Sequence, residues 1–100
     1  MKQPVSKKIL TNNSLYEEIK RIKKNRKKIV LCHGVFDLLH FGHINYLREA
    51  KNIGDIVIVS ITSDRFVLKG PGRPYFKFKN RAKVISELSC VDYVVESDAE

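Results

Sequence analysis

A chain of 100 residues, 43% hydrophobic and 30% charged, falls in the ordinary range of soluble globular domains and is too short for two cores. No apolar run nears the roughly 20 residues of a membrane span, and the basic, polar start is no secretory signal, so a membrane partner and export are not expected. The formal net charge of +8 sits wholly in residues 1–28, where ten Lys or Arg face only Glu17 and Glu18, while residues 29–100 balance nine basic against nine acidic side chains. A bound anion can be held in two ways, by the general field of the basic stretch or by placed groups in the neutral body. The basic stretch reads first as a solvated helix face, which makes nucleic acid the lesser partner. Cys32 and Cys90 lie far apart without C-x-x-C spacing. That suits a reducing compartment, and the cytoplasm is expected.

Residues 1–13 show no hydrophobic periodicity and predict a loose leader. Ser14 and Glu17 have the spacing of a capping box. Leu15, Ile19 and Ile22 then recur at helical spacing, which predicts a short amphipathic helix fading near Asn25. Residues 1–27 thus read as a basic extension, an appendage, and residues 28–100 as the core. Ile29-Val30-Leu31-Cys32 and Ile56-Val57-Ile58-Val59 are continuous apolar runs, the pattern of parallel strands buried on both faces. Between them Ile44, Leu47 and Ala50 predict a helix over about 42–52, stopped by Gly54. Lys69-Gly70-Pro71-Gly72-Arg73-Pro74 is a loop by composition. Phe78, Ala82, Ile85 and Leu88 predict a helix over about 78–89, and Tyr93-Val94-Val95 a third strand. The order predicts an α/β, doubly wound (Rossmann-like) parallel sheet. An open sheet of this kind expects a further helix and strand beyond Glu100, so truncation at the C-terminus is the expectation.

In such a sheet ligands bind beyond the carboxyl ends of the strands, and the segment His33–His43 leaves the first strand there. Gly34 permits a close turn that offers the amides of Val35 and Phe36 to a phosphate. Gly42 leaves the helix start bare, where unpaired amides and the helix dipole favour an anion. His40 and His43 can flank that anion as donors. Lys69 and Arg73 are cations whose directions the surrounding Gly and Pro residues fix, which favours phosphate contact. Asp37 and Asp64 read as turn-capping acids rather than catalysts. A zinc set of Cys32, His33, His40 and His43 is the other sharp reading, disfavoured because Cys32 falls inside a buried strand run. No protein metal site is expected.

Gly34-Val35-Phe36-Asp37-Leu38-Leu39-His40-Phe41-Gly42-His43 resembles the G-x-F-D-x-x-H-x-G-H signature of the cytidylyltransferase-like branch of the HxGH nucleotidyltransferases. Six fixed positions in ten arise by chance in far fewer than about one in a million windows. The resemblance runs over residues 28–96. The loop Lys69–Pro74 is similar to that of heptose 1-phosphate adenylyltransferases and of modules fused to sugar kinases, Asn80-Arg81 to the next helix start, and Cys90–Val95 to the V-D-x-V strand. It implies transfer of NMP from ATP or CTP to a phosphorylated small molecule, a sugar phosphate, with release of pyrophosphate and with Mg²⁺ carried by the NTP. In that reading His40, His43 and Lys69 are catalytic. Gly34, Val35, Phe36, Gly42, Arg73 and Arg81 join the histidines in nucleotide binding, and Asp92 lies near the base pocket. A fused or partner sugar kinase and a homodimer are the implied partners. The family's Ser/Thr-rich triphosphate segment has no counterpart within these residues, which implies weak turnover by the chain alone. A glycerol-phosphate or head-group-phosphate cytidylyltransferase is the rival reading, against which Ser89 stands where those enzymes carry Arg. A non-catalytic fragment, whose basic helix binds nucleic acid or a partner, is the other.

Overall fold

The computed structural model describes residues 7–67 and 72–98. Its elements run β1 (Ile9–Leu10), α1 (Asn12–Lys24), β2 (Ile29–Gly34), α2 (Phe41–Ile53), β3 (Ile56–Thr62), a 3₁₀ turn (Asp64–Phe66), α3 (Phe78–Ser86) and β4 (Tyr93–Ser97). The four strands form one sheet in the order β1-β4-β3-β2, parallel throughout. Period-two alternation along β3 sends Val57, Val59 and Ile61 to one face, where they pack with Leu47 and Ala50 of α2 and Ala82 and Ile85 of α3. Ile58, on the other face, packs with Ile22 of α1 and Tyr93. Helices on both faces of a parallel sheet make the fold an α/β, doubly wound, Rossmann-like one.

The N-terminal region departs from expectation. Residues 1–6 of the expected leader lie outside the described residues, but within the rest of it Ile9 and Leu10 form β1, in register with Val94 and Val95. The Val94 amide donates to the Lys8 carbonyl (2.8 Å) and Lys8 Nζ to the Leu88 carbonyl (3.1 Å). Two residues are too few for periodicity to register, but they satisfy the free edge of β4. The cap is Thr11, not Ser14: Thr11 Oγ1 accepts from the Ser14 amide at 3.1 Å, and Glu17 pairs with Lys20. The helix is no appendage either, because Ile22 is 2% exposed against Ile58 and Tyr93. Ile22→Ala should therefore cost about 2–4 kcal/mol, read as a lowered urea midpoint. An unchanged midpoint would restore the appendage view.

The strand β2 also differs from its pattern. Leu31 is 64% exposed, because β2 lies at the sheet edge and α1 covers β3 and β4 instead. Helix α2 is one residue longer at each end than expected and stops at Gly54. Helix α3 ends at Ser86, short of 89, and passes into turns in which the Glu87 and Leu88 amides still bond back to Val84 and Ile85.

Candidate functional site

The segment from Val35 to His40 joins the C-terminal end of β2 to α2. Phe36 turns it with φ 53°, a left-handed conformation that costs a non-glycine residue roughly 1–2 kcal/mol. Burial of its ring in the core below α2 and α3 offsets that cost. Gly34 is required by the same ring, since a Cβ there would lie 2.8 Å from Phe36 Cε2.

The two signature histidines close the mouth of α2 on each other. His40 is the N-cap and its Nδ1 accepts from the Gly42 amide at 2.9 Å. The His43 Nδ1 accepts from the His40 amide at 3.1 Å, completing a reciprocal capping box. A neutral ring that accepts at Nδ1 carries its proton at Nε2, so this geometry assigns both tautomers. The rings lie 4.1 Å apart between centroids, and the edge-on contact of His43 with Phe36, at 5.5 Å, orients the second. Gly42 makes the stack possible, because a Cβ would meet His40 Cε1 at 2.6 Å. Two imidazole N–H donors thus stand at a helix N-terminus, on the wall of a cleft of about 350 Å³ that Gly34–Leu38, Tyr46 and Arg73 also line.

Asp37 ties the far wall to this turn. Its buried carboxylate accepts from the amides of Tyr75 (2.7 Å) and Phe76 (2.9 Å) and from Arg73 Nε (3.0 Å). Burial alone would raise its pKa, but the two amides and the guanidinium outweigh burial and hold the carboxyl below its ordinary value. Asp37 is therefore a brace between two loops rather than a cap of its own turn, and Arg73, packed over the Tyr75 ring, is aimed by it. Asp37→Ala should destabilise the domain by about 3 kcal/mol near neutral pH. A depressed carboxyl contributes stability above its unfolded pKa and loses it as pH falls through the folded one. The gap between wild type and variant in urea melts should hence narrow below the ordinary value of 3.8. A gap that widens toward acid would contradict the brace.

Arg81 corrects an expectation. Instead of reaching a nucleotide it is 2% exposed and binds carbonyls of Phe76 (2.8 Å), Val35 (2.9 Å) and Thr62 (2.7 Å) together with the Asp64 carboxylate. It is a positioning residue that bolts three segments beneath the cleft. Asp64 also accepts from the Phe78 amide, capping α3 from a distance. Asp92 is likewise not brought to the cleft. Its carboxylate accepts from the Val57 amide and from Lys51 Nζ, both at 2.8 Å, at the N-terminal ends of β3 and β4, opposite the histidines. Gly34, Val35, Phe36, His40, His43 and Arg73 do come together along the cleft, and Gly42 stands beside them through its amide bond to His40. Lys69 lies outside the described residues. Cys32 faces the core while its neighbour His33 is exposed, so alternation along β2 separates them, and among the described residues no three His, Cys, Asp or Glu side chains converge as a metal set. His33, which also lines the cleft, was missed as a site residue because it precedes the signature.

A parallel sheet with a His-capped helix mouth and a small cleft at its carboxyl edge defines a Rossmann-like domain. Residues 31–100 match the Cytidylyltransferase-like family, and the chain belongs to it. It is 42% identical over 97 residues to the bifunctional protein HldE of Helicobacter hepaticus, covering 95% of this chain and 20% of that protein. It is 50% identical over 90 residues to the HldE of Helicobacter pylori strain G27, covering 88% and 19%. The chain thus spans about a fifth of the length of these relatives. Among solved structures, the lipopolysaccharide core biosynthesis protein of Thermoplasma volcanium matches with a TM-score of 0.66 at 38% identity, over 71% of this chain and 58% of that one. No described helix is long and apolar enough to cross a membrane.

Proposed function

We propose that this domain is the nucleotidyltransferase part of a cytoplasmic biosynthetic enzyme, which transfers NMP from ATP or CTP to a sugar phosphate. The observation that carries the reading is the reciprocal capping of α2 by His40 and His43, which assigns the ring proton of each to Nε2 at a helix N-terminus. An oxygen of the acceptor phosphate attacks the α-phosphorus in line. The bond from that phosphorus to the β-bridging oxygen breaks, and pyrophosphate leaves with the electron pair. Such a reaction needs positioning and charge stabilisation rather than a covalent nucleophile. His40 and His43 donate to the oxygens that gain charge, and Arg73, aimed by Asp37, supplies fixed positive charge with Lys69. Mg²⁺ enters with the triphosphate as part of the substrate, held by phosphate oxygens and water.

Membership of the cytidylyltransferase-like family and likeness to a protein described as bifunctional support this reading, and a sugar kinase is the partner activity it implies. A homodimer is the assembly we propose. Isothermal titration of the chain with MgATP and MgCTP, followed by pyrophosphate release on addition of heptose 1-phosphate or glycerol 3-phosphate, tests it. NTP binding with release on the heptose phosphate supports the sugar-phosphate assignment, and release on the glycerol phosphate alone supports the rival acceptor. Absence of NTP binding, with salt-sensitive binding of a DNA duplex by residues 14–28, would replace the enzyme by the fragment reading.

A further inference from the structure

Transfer between two phosphates brings two anionic groups into one cleft of about 350 Å³. The α2 mouth, with its paired imidazoles, is suited to one of them. A third imidazole, His33, lines the same cleft on the β2 side. It sits two residues before the turn residue Val35, and its Nδ1 lies 3.2 Å from Ser60 Oγ on β3, its register partner across the sheet. The backbone ladder already pairs these two positions, so sheet formation does not need the side-chain bond. His33 is exposed, so core packing does not need the ring either. What the bond does accomplish is to hold one ring nitrogen and restrict the rotation of an otherwise free exposed side chain.

We infer that His33 is an acceptor-contact and specificity-determining residue: its imidazole hydrogen-bonds the phosphorylated acceptor, while His40 and His43 serve the NTP. Ser60 is then its positioning residue. The inference rests on the proposed function, in that the cleft must take both an NTP and a phosphate monoester. The Ser60 hydroxyl can donate or accept, so the ring can keep this bond in either tautomer and present its other nitrogen as acceptor or donor, to a sugar hydroxyl or to a phosphate oxygen. His33 comes to the cleft from β2, whereas His40 and His43 come to it from the start of α2.

The test uses the full chain, with titration of MgATP or MgCTP first and of glucose 1-phosphate or inorganic phosphate second, in wild type, His33→Ala, His33→Gln and Ser60→Ala. Failure of the wild type to bind either NTP sinks the proposed function itself, and this inference with it. Given NTP binding, His33→Ala is expected to leave NTP affinity unchanged and to weaken the phosphate monoester about tenfold, the worth of one hydrogen bond to a charged group. His33→Gln, which keeps a donor and an acceptor, should recover part of the loss, and Ser60→Ala should lose less than His33→Ala. Equal monoester affinity in wild type and His33→Ala, no monoester binding by the wild type, or a matching loss of NTP affinity would each overturn the assignment, whichever acceptor the enzyme uses. Circular dichroism of each variant guards against misfolding, and since His33 is exposed the variants are expected to fold.

Discussion

Arg81→Met is expected to remove most of the domain's stability. The guanidinium is 2% exposed and donates to three main-chain carbonyls, those of Val35, Thr62 and Phe76, and to Asp64. Each carbonyl left without its donor costs about 1–3 kcal/mol, while the Asp64 side chain, 41% exposed, can turn to water, so the three carbonyls sum to at least about 3 kcal/mol where domains commonly have about 5–15 in total. Arg81→Lys should fare little better, because one ammonium cannot span acceptors that a planar fork reaches from three nitrogens. Urea melts of the two variants, with amide spectra of residues 34–43, make the measurement. Wild-type stability in Arg81→Lys would mean that the bolt holds less than its geometry says. Loss of nucleotide affinity without loss of stability would return Arg81 to the binding role.

His43→Ala should produce the largest functional effect with a small structural one. The variant loses a capping contact to the His40 amide, worth about 1 kcal/mol, and the edge contact with Phe36. It also loses a donor placed at the helix mouth, for which about 3 kcal/mol, or roughly a hundredfold in transition-state stabilisation, is typical. His43→Asn separates the two, since an amide oxygen at the third helical position can still accept from the His40 N–H but does not place a donor where the ring Nε2 stands. In an active form of the enzyme, pyrophosphate release should fall about a hundredfold in both variants, while the melting temperature recovers in His43→Asn. Normal turnover by a folded His43→Ala would refute the role.

The strand runs at 29–32 and 56–59, the intervening helix and the glycine-bearing turn between them were legible because each is a local pattern. β-branched runs, a 3.6-residue stripe and glycines beside histidines all act within a few residues of one another. What escaped the sequence was long-range. Asp37 bonds residues 36 to 39 positions away, and Arg81 reaches Val35 across 46, so an acid read as a turn cap and an arginine read as nucleotide-binding became a brace and a bolt. Lone charges near a motif look available for ligands until the fold shows which main-chain atoms they satisfy. Asp92 misled for the same reason: it precedes β4 at the N-terminal end of the parallel sheet, where it accepts from the Val57 amide and Lys51. The pairing of Ile9–Leu10 with β4 was illegible because two residues have no period.

The central claim, that the cleft between the end of β2 and the mouth of α2 receives the triphosphate, is tested most directly by imidazole ¹⁵N spectra of the labelled chain during titration with MgATP, MgCTP and inorganic tripolyphosphate. The predicted result is that all three shift the Nε2 resonances of His40 and His43 and the amides of residues 34–43, with the Nδ1 atoms remaining acceptors. Saturable binding that leaves both rings untouched, and moves only resonances of the basic stretch from Lys20 to Lys28, would contradict it.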